Sequence, residues 1–479
     1  MKPIFSAEEI PAYHEKLLVV RLQSRAQPSL AAMGGARGEA PPETPGLSAL
    51  AMFERGGMIK RVTPVSRQAA QRAVSGAHRA MASFAASLET PRGKDDGVGT
   101  GVSMIELERD ADLIELQKAL AHDPHVEFVS RIPRRYLFVK GTRGPADYSV
   151  AAGAPSPSKL WNLEKVQWTK ARALPGFKDA QSIKVAVLDS GIDQHHPDLK
   201  GLIGGYVYAN PDLSRPSGPG DLVGHGTHVA GTITAKINNQ VGINGICQCD
   251  LRAWKIFDDV ADFFGYAYGY TYFVDPMMYF RALADCIEQK VDVVNLSIGG
   301  GGSPDQFELS LYEQLLANGT TVVAAMGNQR EQGSPTSYPA AIPGVIAVGA
   351  TKVNDKIAGF SNRGNHITIS APGVGIWSTL PTTPGQFGFK AEKGPNGWPR
   401  EGKPYKRETD YDSWEGTSMA TPHVTAAVAL LLANRGKMSP AQVRNQLIKS
   451  AVKVGKMDKK PFHPDFGYGR LDLLRLLTM

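Results

Sequence analysis

Cysteine is scarce in this chain. Its 479 residues hold three, Cys247, Cys249 and Cys286, and none of them forms a Cys-x-x-Cys pair. An odd number at this spacing builds neither a disulfide framework nor a zinc site, and Cys247 and Cys249 are too close for an ordinary bridge. All three read as reduced thiols, which points to a cytosolic compartment. A long apolar run is missing too: no stretch approaches the roughly 18 apolar residues that a membrane span needs. The opening residues, "MKPIFSAEEIPAYHEKLLVVRLQ", carry acids where a signal peptide has its apolar core, and no small-residue cleavage site follows. The expectation is a soluble, cytoplasmic chain. Blocks of like charge are also absent. The 53 Lys and Arg residues against 46 Asp and Glu give a net charge of +7, scattered along the chain. Neither nucleic acid nor a membrane surface is an expected partner. What remains is ordinary: 42% hydrophobic and 21% charged residues, enough to bury a large core and long enough for one large domain with an appendage.

Residues 1–139 read as a small α+β unit. "KLLVVRL", "MIKRVTPV", "GVSMIELE" and "VEFVSRIPRRYLFV" have strand character, and "LSALAMFERGG" and "DADLIELQKALAHD" have helical character. The order βαββαβ fits a ferredoxin-like module. A polar, alanine-rich insertion at about 66–100 interrupts it, and residues 140–159, rich in Gly, Pro, Ala and Ser, read as a linker. Residues 160–479 change pattern. "IKVAVL", "LRAWKIF", "VDVVNLSI", "TTVVAAM", "VIAVGAT" and "HITISA" are short apolar runs of the kind buried on both faces of a parallel sheet. Helical segments such as "PMMYFRALADCIEQK" and "FELSLYEQLLANG" lie between them. The expected fold class is α/β, a doubly wound and mostly parallel sheet with its site at the strands' carboxyl ends.

Three polar residues stand where such a sheet would build a site. Asp189 ends the run "IKVAVLD". His225 lies in "GHGTHVAG", whose small residues let a helix begin close to the sheet. Ser418 opens the apolar helix that follows "EGTSM". Pro422 suits a first helical turn, whose N–H groups have no intrahelical acceptor to lose. Singly, each has a bland explanation: a turn former, a structural histidine, an N-cap. Together they supply a hydroxyl nucleophile, a base to take its proton, and a carboxylate to fix the base's tautomer. Asn328, at the end of "VVAAMGN", adds an amide able to donate to an oxyanion.

The stretches "VAVLDSGID", "GHGTHVAGT" and "GTSMATPHV", in the order Asp, His, Ser, resemble the three signatures of the subtilisin-like serine proteases, or subtilases. The resemblance covers about Leu160 to Leu477. It implies that Asp189 orients His225, that His225 is general base and then acid, that Ser418 attacks the scissile carbonyl and that Asn328 serves the oxyanion, with no catalytic role for His228. "NLSIGGGG" then matches the strand that pairs with an extended peptide, giving Ser297, Ile298, Gly299 and Gly300 as substrate-binding residues. "SPTSYPAAIPG" matches the wall of the primary specificity pocket and places Ser337 and Tyr338 there, with Gln329 after Asn328. Met326 stands where the family has a small residue and would narrow that pocket. No acid faces it, so neutral or apolar side chains are expected at the cleaved bond.

The same resemblance implies a structural calcium site in which Asp198 and Asn239 contribute side chains and Ile237, Val241 and Ile243 contribute carbonyls; the chemistry itself needs no cofactor. It also implies that the N-terminal unit is a propeptide that inhibits the site within its own chain and is cut away by Ser418 between Gly141 and Lys159. The expected partners are protein or peptide substrates. Two alternatives stay open: a peptide ligase or macrocyclase of the same fold, and a pseudoprotease that binds peptides without cutting. The aromatic stretch Phe257–Pro276 would grip apolar substrate side chains or pack on itself. Thr383–Ser413 is a candidate lid or a plain surface loop.

Overall fold

The structure, a computed structural model, describes residues 11–22, 50, 52–66, 101–108, 110–137, 140–141, 159–209, 215, 217–264, 269–457 and 460–479. The expected insertion and linker therefore lie, at 67–100 and 142–158, outside the described residues.

The N-terminal unit contains β1 (Tyr13–Leu22), a helical turn at 52–55, β2 (Ile59–Pro64), β3 (Val102–Leu107), α1 (Leu113–Ala121) and β4 (Val126–Pro133). The sheet is antiparallel in the order β2-β3-β1-β4. Successive side chains of a strand face opposite ways, so one sheet serves two cores. Leu18, Val20, Ile105 and Leu107 meet Leu116 and Leu120 of α1 in a small core of the unit's own. Val19, Val102, Met104 and Ile132 face the other way and join the core of the following domain. Past β4 the chain continues as two short strands, β5 (Tyr136–Leu137) and β6 (Lys140–Gly141).

The large domain is built on a seven-stranded parallel sheet. Its strands are β7 (Lys184–Asp189), β8 (Ile203–Val207), β9 (Asp250–Lys255), β12 (Val293–Leu296), β14 (Thr321–Ala325), β15 (Ile346–Thr351) and β16 (Ile367–Pro372), in the order β16-β15-β14-β12-β7-β9-β8. The six apolar runs account for every strand but β8. Its sequence, "IGGYV", interrupts the apolar pattern with two glycines, which an edge strand paired only to β9 tolerates. Alternation again divides the sheet. Val185, Val187, Val293 and Val323 face one core with α2 (His225–Thr234) and α5 (Thr417–Arg435). Ala186, Leu188, Val294 and Val322 face the other, with α3 (Pro276–Glu288) and α4 (Gln306–Ala317). Helices on both faces make the sheet doubly wound. Asp275 and Asp305 cap α3 and α4 by accepting first-turn N–H groups.

Smaller pairings complete the surface. β10 (Asp262–Phe263), β11 (Tyr270–Thr271), β18 (Gln386–Lys393) and β19 (Pro399–Lys406) form one antiparallel sheet in that order. The aromatic stretch and the candidate lid are thus partners in a single structure; residues 265–268 lie outside the description. β13 (Ile298–Gly299) pairs with β5, while β17 (Ile376–Thr379), β20 (Tyr411–Glu415) and β6 form a three-stranded sheet. The three cysteines are buried and unbridged. Among the described residues no helix is long and apolar enough to cross a membrane.

Candidate active site

Asp189 is the last residue of central strand β7 and is 1% exposed. Its Oδ1 accepts hydrogen bonds from His225 Nδ1 at 2.6 Å and from the Ser190 N–H at 2.7 Å. A carboxylate facing Nδ1 requires the proton there, which leaves the lone pair on Nε2. His225 Nε2 is buried and has no hydrogen-bond partner among the described residues. The start of α2 reaches the sheet because Gly226 has no side chain: a Cβ there would lie 2.0 Å from the Gly191 carbonyl oxygen. His225 lies against Trp414, ring centroids 6.4 Å apart, and His228 stacks on the same indole at 4.9 Å. Burial, and then the neighbouring His225, push the His228 pKa down to about 3. A neutral His228 with Nε2 on the Ile376 carbonyl is a scaffold.

Ser418 is the second residue of α5, after the N-cap Gly416. Its hydroxyl donates to the Ser297 carbonyl at 2.9 Å, and the Ser297 hydroxyl donates to the Ser418 carbonyl, also at 2.9 Å. This exchange corrects the reading of Pro422. The helix begins at Thr417, so Pro422 lies beyond the first turn, four residues after Ser418. Its missing N–H would have bonded the Ser418 carbonyl. Ser297 supplies that donor instead, and is itself held by Asn295, which Thr425 of α5 contacts in turn. Asn328 follows β14. Its Oδ1 accepts from both the N–H and the hydroxyl of Thr417, at 3.0 and 2.9 Å. The amide oxygen is thereby fixed on the residue before Ser418, and Nδ2 is the end turned away from it.

Comparison with known proteins decides the family. Residues 180–470, more than half of the chain, match the model of the subtilase family. The chain belongs to the subtilases. It is 35% identical over 277 residues to subtilisin E of Bacillus subtilis (strain 168), covering 57% of this chain and 61% of that protein. It is 34% identical over 329 residues to fervidolysin of Fervidobacterium pennivorans, covering 67% and 44%. The major intracellular serine protease of B. subtilis (strain 168) is 35% identical over 282 residues, covering 57% and 76%. The crystal structure of fervidolysin, described as a keratinolytic enzyme related to subtilisin, superposes with a TM-score of 0.63 at 23% identity, covering 100% of this chain and 64% of that one. That last likeness supports the fold. The chain spans about 61% of the length of subtilisin E and of subtilisin amylosacchariticus.

In this subtilase the cleft is filled by the chain's own residues. Leu137 and Tyr136 pair antiparallel with Ile298 and Gly299, and on the opposite side the Arg135 carbonyl accepts the Val274 N–H at 3.1 Å. Farther on, Gly141 and Lys140 pair with Trp414 and Glu415, three residues ahead of Ser418. The Tyr136 ring packs against Phe273, Ala325 and Phe264, and its hydroxyl accepts a hydrogen bond from Gln329 at 2.5 Å. The aromatic stretch thus contributes to the wall that holds this strand.

Other expected residues fall as follows. Gly300 is paired to Tyr338 by two backbone hydrogen bonds. Ser337 is buried, with no partner for its hydroxyl among the described residues. Met326 does not line the cleft. It is 1% exposed within the core shared with Ala324 and Ile367, because alternation turns 326 away from the face where Ala325 meets Tyr136.

Of the expected calcium residues, Asp198, Asn239 and Ile243 come together. Asp198 is fully buried and accepts from Asn239 Nδ2 at 2.5 Å, the Ile243 N–H at 3.1 Å and the Tyr411 hydroxyl at 3.0 Å. No cationic side chain among the described residues pairs with it. A buried carboxylate without a counter-charge fits a cation, provided that the Asn239 amide turns its oxygen inward.

Sequence reasoning missed two supports. Asp221 is 4% exposed and accepts from Ser190 Oγ, the Gly224 N–H, and both the N–H and hydroxyl of Thr227, tying the loop after Asp189 to the start of α2. Trp414, the backing of both histidines, was the second. The Asp in "GDLVGHGTH", ahead of the histidine motif, was the available signal for the first.

Proposed function

We propose that the protein is a serine endopeptidase that carries its N-terminal unit as a substrate-like inhibitor and cuts it off. Asp189 holds the tautomer of His225 that leaves Nε2 as base. The Ser418 hydroxyl turns from the Ser297 carbonyl to that nitrogen, gives up its proton and attacks the scissile carbonyl. The oxyanion is met by Asn328 Nδ2 and by the first-turn N–H of Ser418, favoured there by the helix dipole. His225 then passes its proton to the leaving amine, and water repeats the sequence on the acyl-enzyme.

The observation that carries this reading is the seating of residues 136–137 and 140–141. The chain lies on β13 at Leu137 and on β20 at Lys140, and Ser418 belongs to the helix that begins where β20 ends. Three peptide links span at most about 11 Å, so the bond presented to Ser418 lies between Leu137 and Lys140. That is upstream of the Gly141–Lys159 interval implied by the family resemblance, because Lys140 and Gly141 already occupy the far edge. Leu137, Phe138 and Val139, the residues that can stand on the amino side of the cut, are all apolar. They agree with the neutral primary specificity inferred from Ser337. A calcium ion held by Asp198, Asn239 and the carbonyls of Ile237, Val241 and Ile243 would stiffen a loop remote from the chemical steps.

The test compares the full chain with Ser418→Ala. The active chain yields a new N-terminus at Phe138, Val139 or Lys140, and the variant stays intact. Processing that persists in Ser418→Ala sinks self-cleavage, and a terminus within 142–159 refutes the crossing argument. Fluorophosphonate labelling of Ser418 separates an enzyme from a peptide-binding pseudoprotease. Mass spectrometry of products formed with an added amine separates hydrolysis from ligation.

A further inference from the structure

Arg135, just ahead of β5, is 2% exposed. Its guanidinium grips a single carboxylate with two prongs: Nη2 donates to Glu308 Oε2 at 2.8 Å and Nε to Oε1 at 3.2 Å, while Nη1 donates to the Gly302 carbonyl at 2.7 Å. Planar recognition of this kind suits arginine and not lysine. Glu308, on the first turn of α4, is fully buried; its Oε1 also accepts the Tyr279 hydroxyl at 3.1 Å, which is joined to Tyr312 at 2.5 Å. Burial alone would lower the Arg135 pKa, but the charge and hydrogen bond of Glu308, together with Tyr279 and Tyr312, more than offset it and the net shift is upward.

Every member of this pocket except Arg135 belongs to the large domain. Once the N-terminal strand departs, Glu308 keeps the Tyr279 hydroxyl and loses its cation. A carboxylate left in that position discriminates strongly, because an apolar or neutral occupant strips its water without replacing the charge.

Resting on the endopeptidase reading, we propose that Glu308, the Gly302 carbonyl and Tyr279 form a specificity pocket for arginine. The enzyme then prefers polypeptides with an arginine three to five residues on the amino side of the cleaved bond, the interval that separates Arg135 from the three candidate bonds. The apolar preference at the bond itself is a separate requirement.

The full chain is allowed to complete its processing and is then given quenched fluorescent peptides copying residues 133–141, Pro-Arg-Arg-Tyr-Leu-Phe-Val-Lys-Gly. The position of Arg135 carries arginine, citrulline, lysine or leucine. Citrulline keeps the shape and removes the charge. The expected kcat/KM falls about tenfold or more from arginine to citrulline and leucine, with lysine between, and Glu308→Gln brings the arginine-to-citrulline ratio close to one. Equal rates for the arginine and citrulline peptides overturn the pocket while leaving the protease; the ion pair then serves only to seat the N-terminal unit. Should Glu308→Gln fail to fold, the peptide series on the unaltered enzyme decides alone. Cleavage of no peptide at all overturns the endopeptidase reading and this inference with it.

Discussion

Ser297→Ala isolates the device that holds the nucleophile's helix. The Ser297 hydroxyl is the donor that replaces the N–H missing at Pro422, and it is also the acceptor for the Asn295 amide. Removing it leaves two buried polar groups without partners, the Ser418 carbonyl and Asn295 Nδ2. Each such loss costs roughly 1–3 kcal/mol, so the variant should lose about 2–6 kcal/mol. The Ser418 hydroxyl contacts the Ser297 backbone carbonyl and is not removed by the change. Pro422→Ala supplies an N–H four residues after Ser418, where an α-helix would use it. If the account is right, that N–H matters far more when Ser297 is alanine than when it is serine. A coupling of about 1 kcal/mol, favouring the double variant, is expected from a double-mutant cycle. Urea unfolding in a Ser418→Ala background measures it, since that exchange keeps the carbonyl at 418 and prevents self-digestion. A Ser297→Ala cost below about 0.5 kcal/mol, or two substitutions that add to within about 0.5 kcal/mol, refutes the reasoning.

Three further outcomes are expected. Asp189→Asn places an amide where His225 Nδ1–H now finds its acceptor and favours the wrong tautomer; kcat should fall about 10⁴-fold, the size known for the same exchange in a triad of another fold, and a loss below tenfold excludes the assigned role. Burial lowers the pKa of His423 to about 4 and of His228 to about 3, against 6.5 for a free imidazole. Both folded values are depressed, so the unfolded chain takes up protons first as pH falls below about 6.5. Stability is then lost towards pH 4, by up to about 1.4 kcal/mol per pH unit for each ring. His423→Gln should flatten the curve of urea midpoint against pH, and an unchanged slope contradicts the assignment. Millimolar calcium should raise the thermal midpoint and a chelator lower it, by mass action on the folded state; an Asp198→Asn variant should not respond, and a parent protein indifferent to both additions removes the cation.

How much of this was legible in the sequence depended on whether the information was local. Asp189, His225, Ser418 and Asn328 each lie in a short stretch whose spacing carries the geometry, and the apolar runs gave six of the seven parallel strands because a strand buried on both faces needs side chains on both. β8 escaped since an edge strand can carry "IGGYV". The pairing of the aromatic stretch with Thr383–Ser413 escaped because antiparallel registers between distant segments leave no mark in either one. Pro422 was misjudged because it was counted into the first turn, whereas the helix begins at Thr417 and the N–H of 422 would already find an intrahelical acceptor. Met326 was misjudged by one residue of strand alternation, which reverses the face.

The Arg135–Glu308 pair shows the limit most sharply. The partners stand 173 residues apart, and nothing near either forecasts the other. "IPRRYLF" reads as a strand end with surface arginines, and "DQFELSL" reads as an amphipathic helix whose glutamate should face water. Burial of that glutamate is costly and is sustained by a cation that arrives from the segment lying in the cleft. Because the segment is held both by its backbone on β13 and by Arg135 on Glu308, the proposed inhibition and the proposed selectivity for arginine would be one property of one pocket. Weakening Glu308 should therefore loosen the zymogen and broaden the substrate range together, whereas changes at Ser337 should alter the choice of residue at the bond and leave the hold on Arg135 intact.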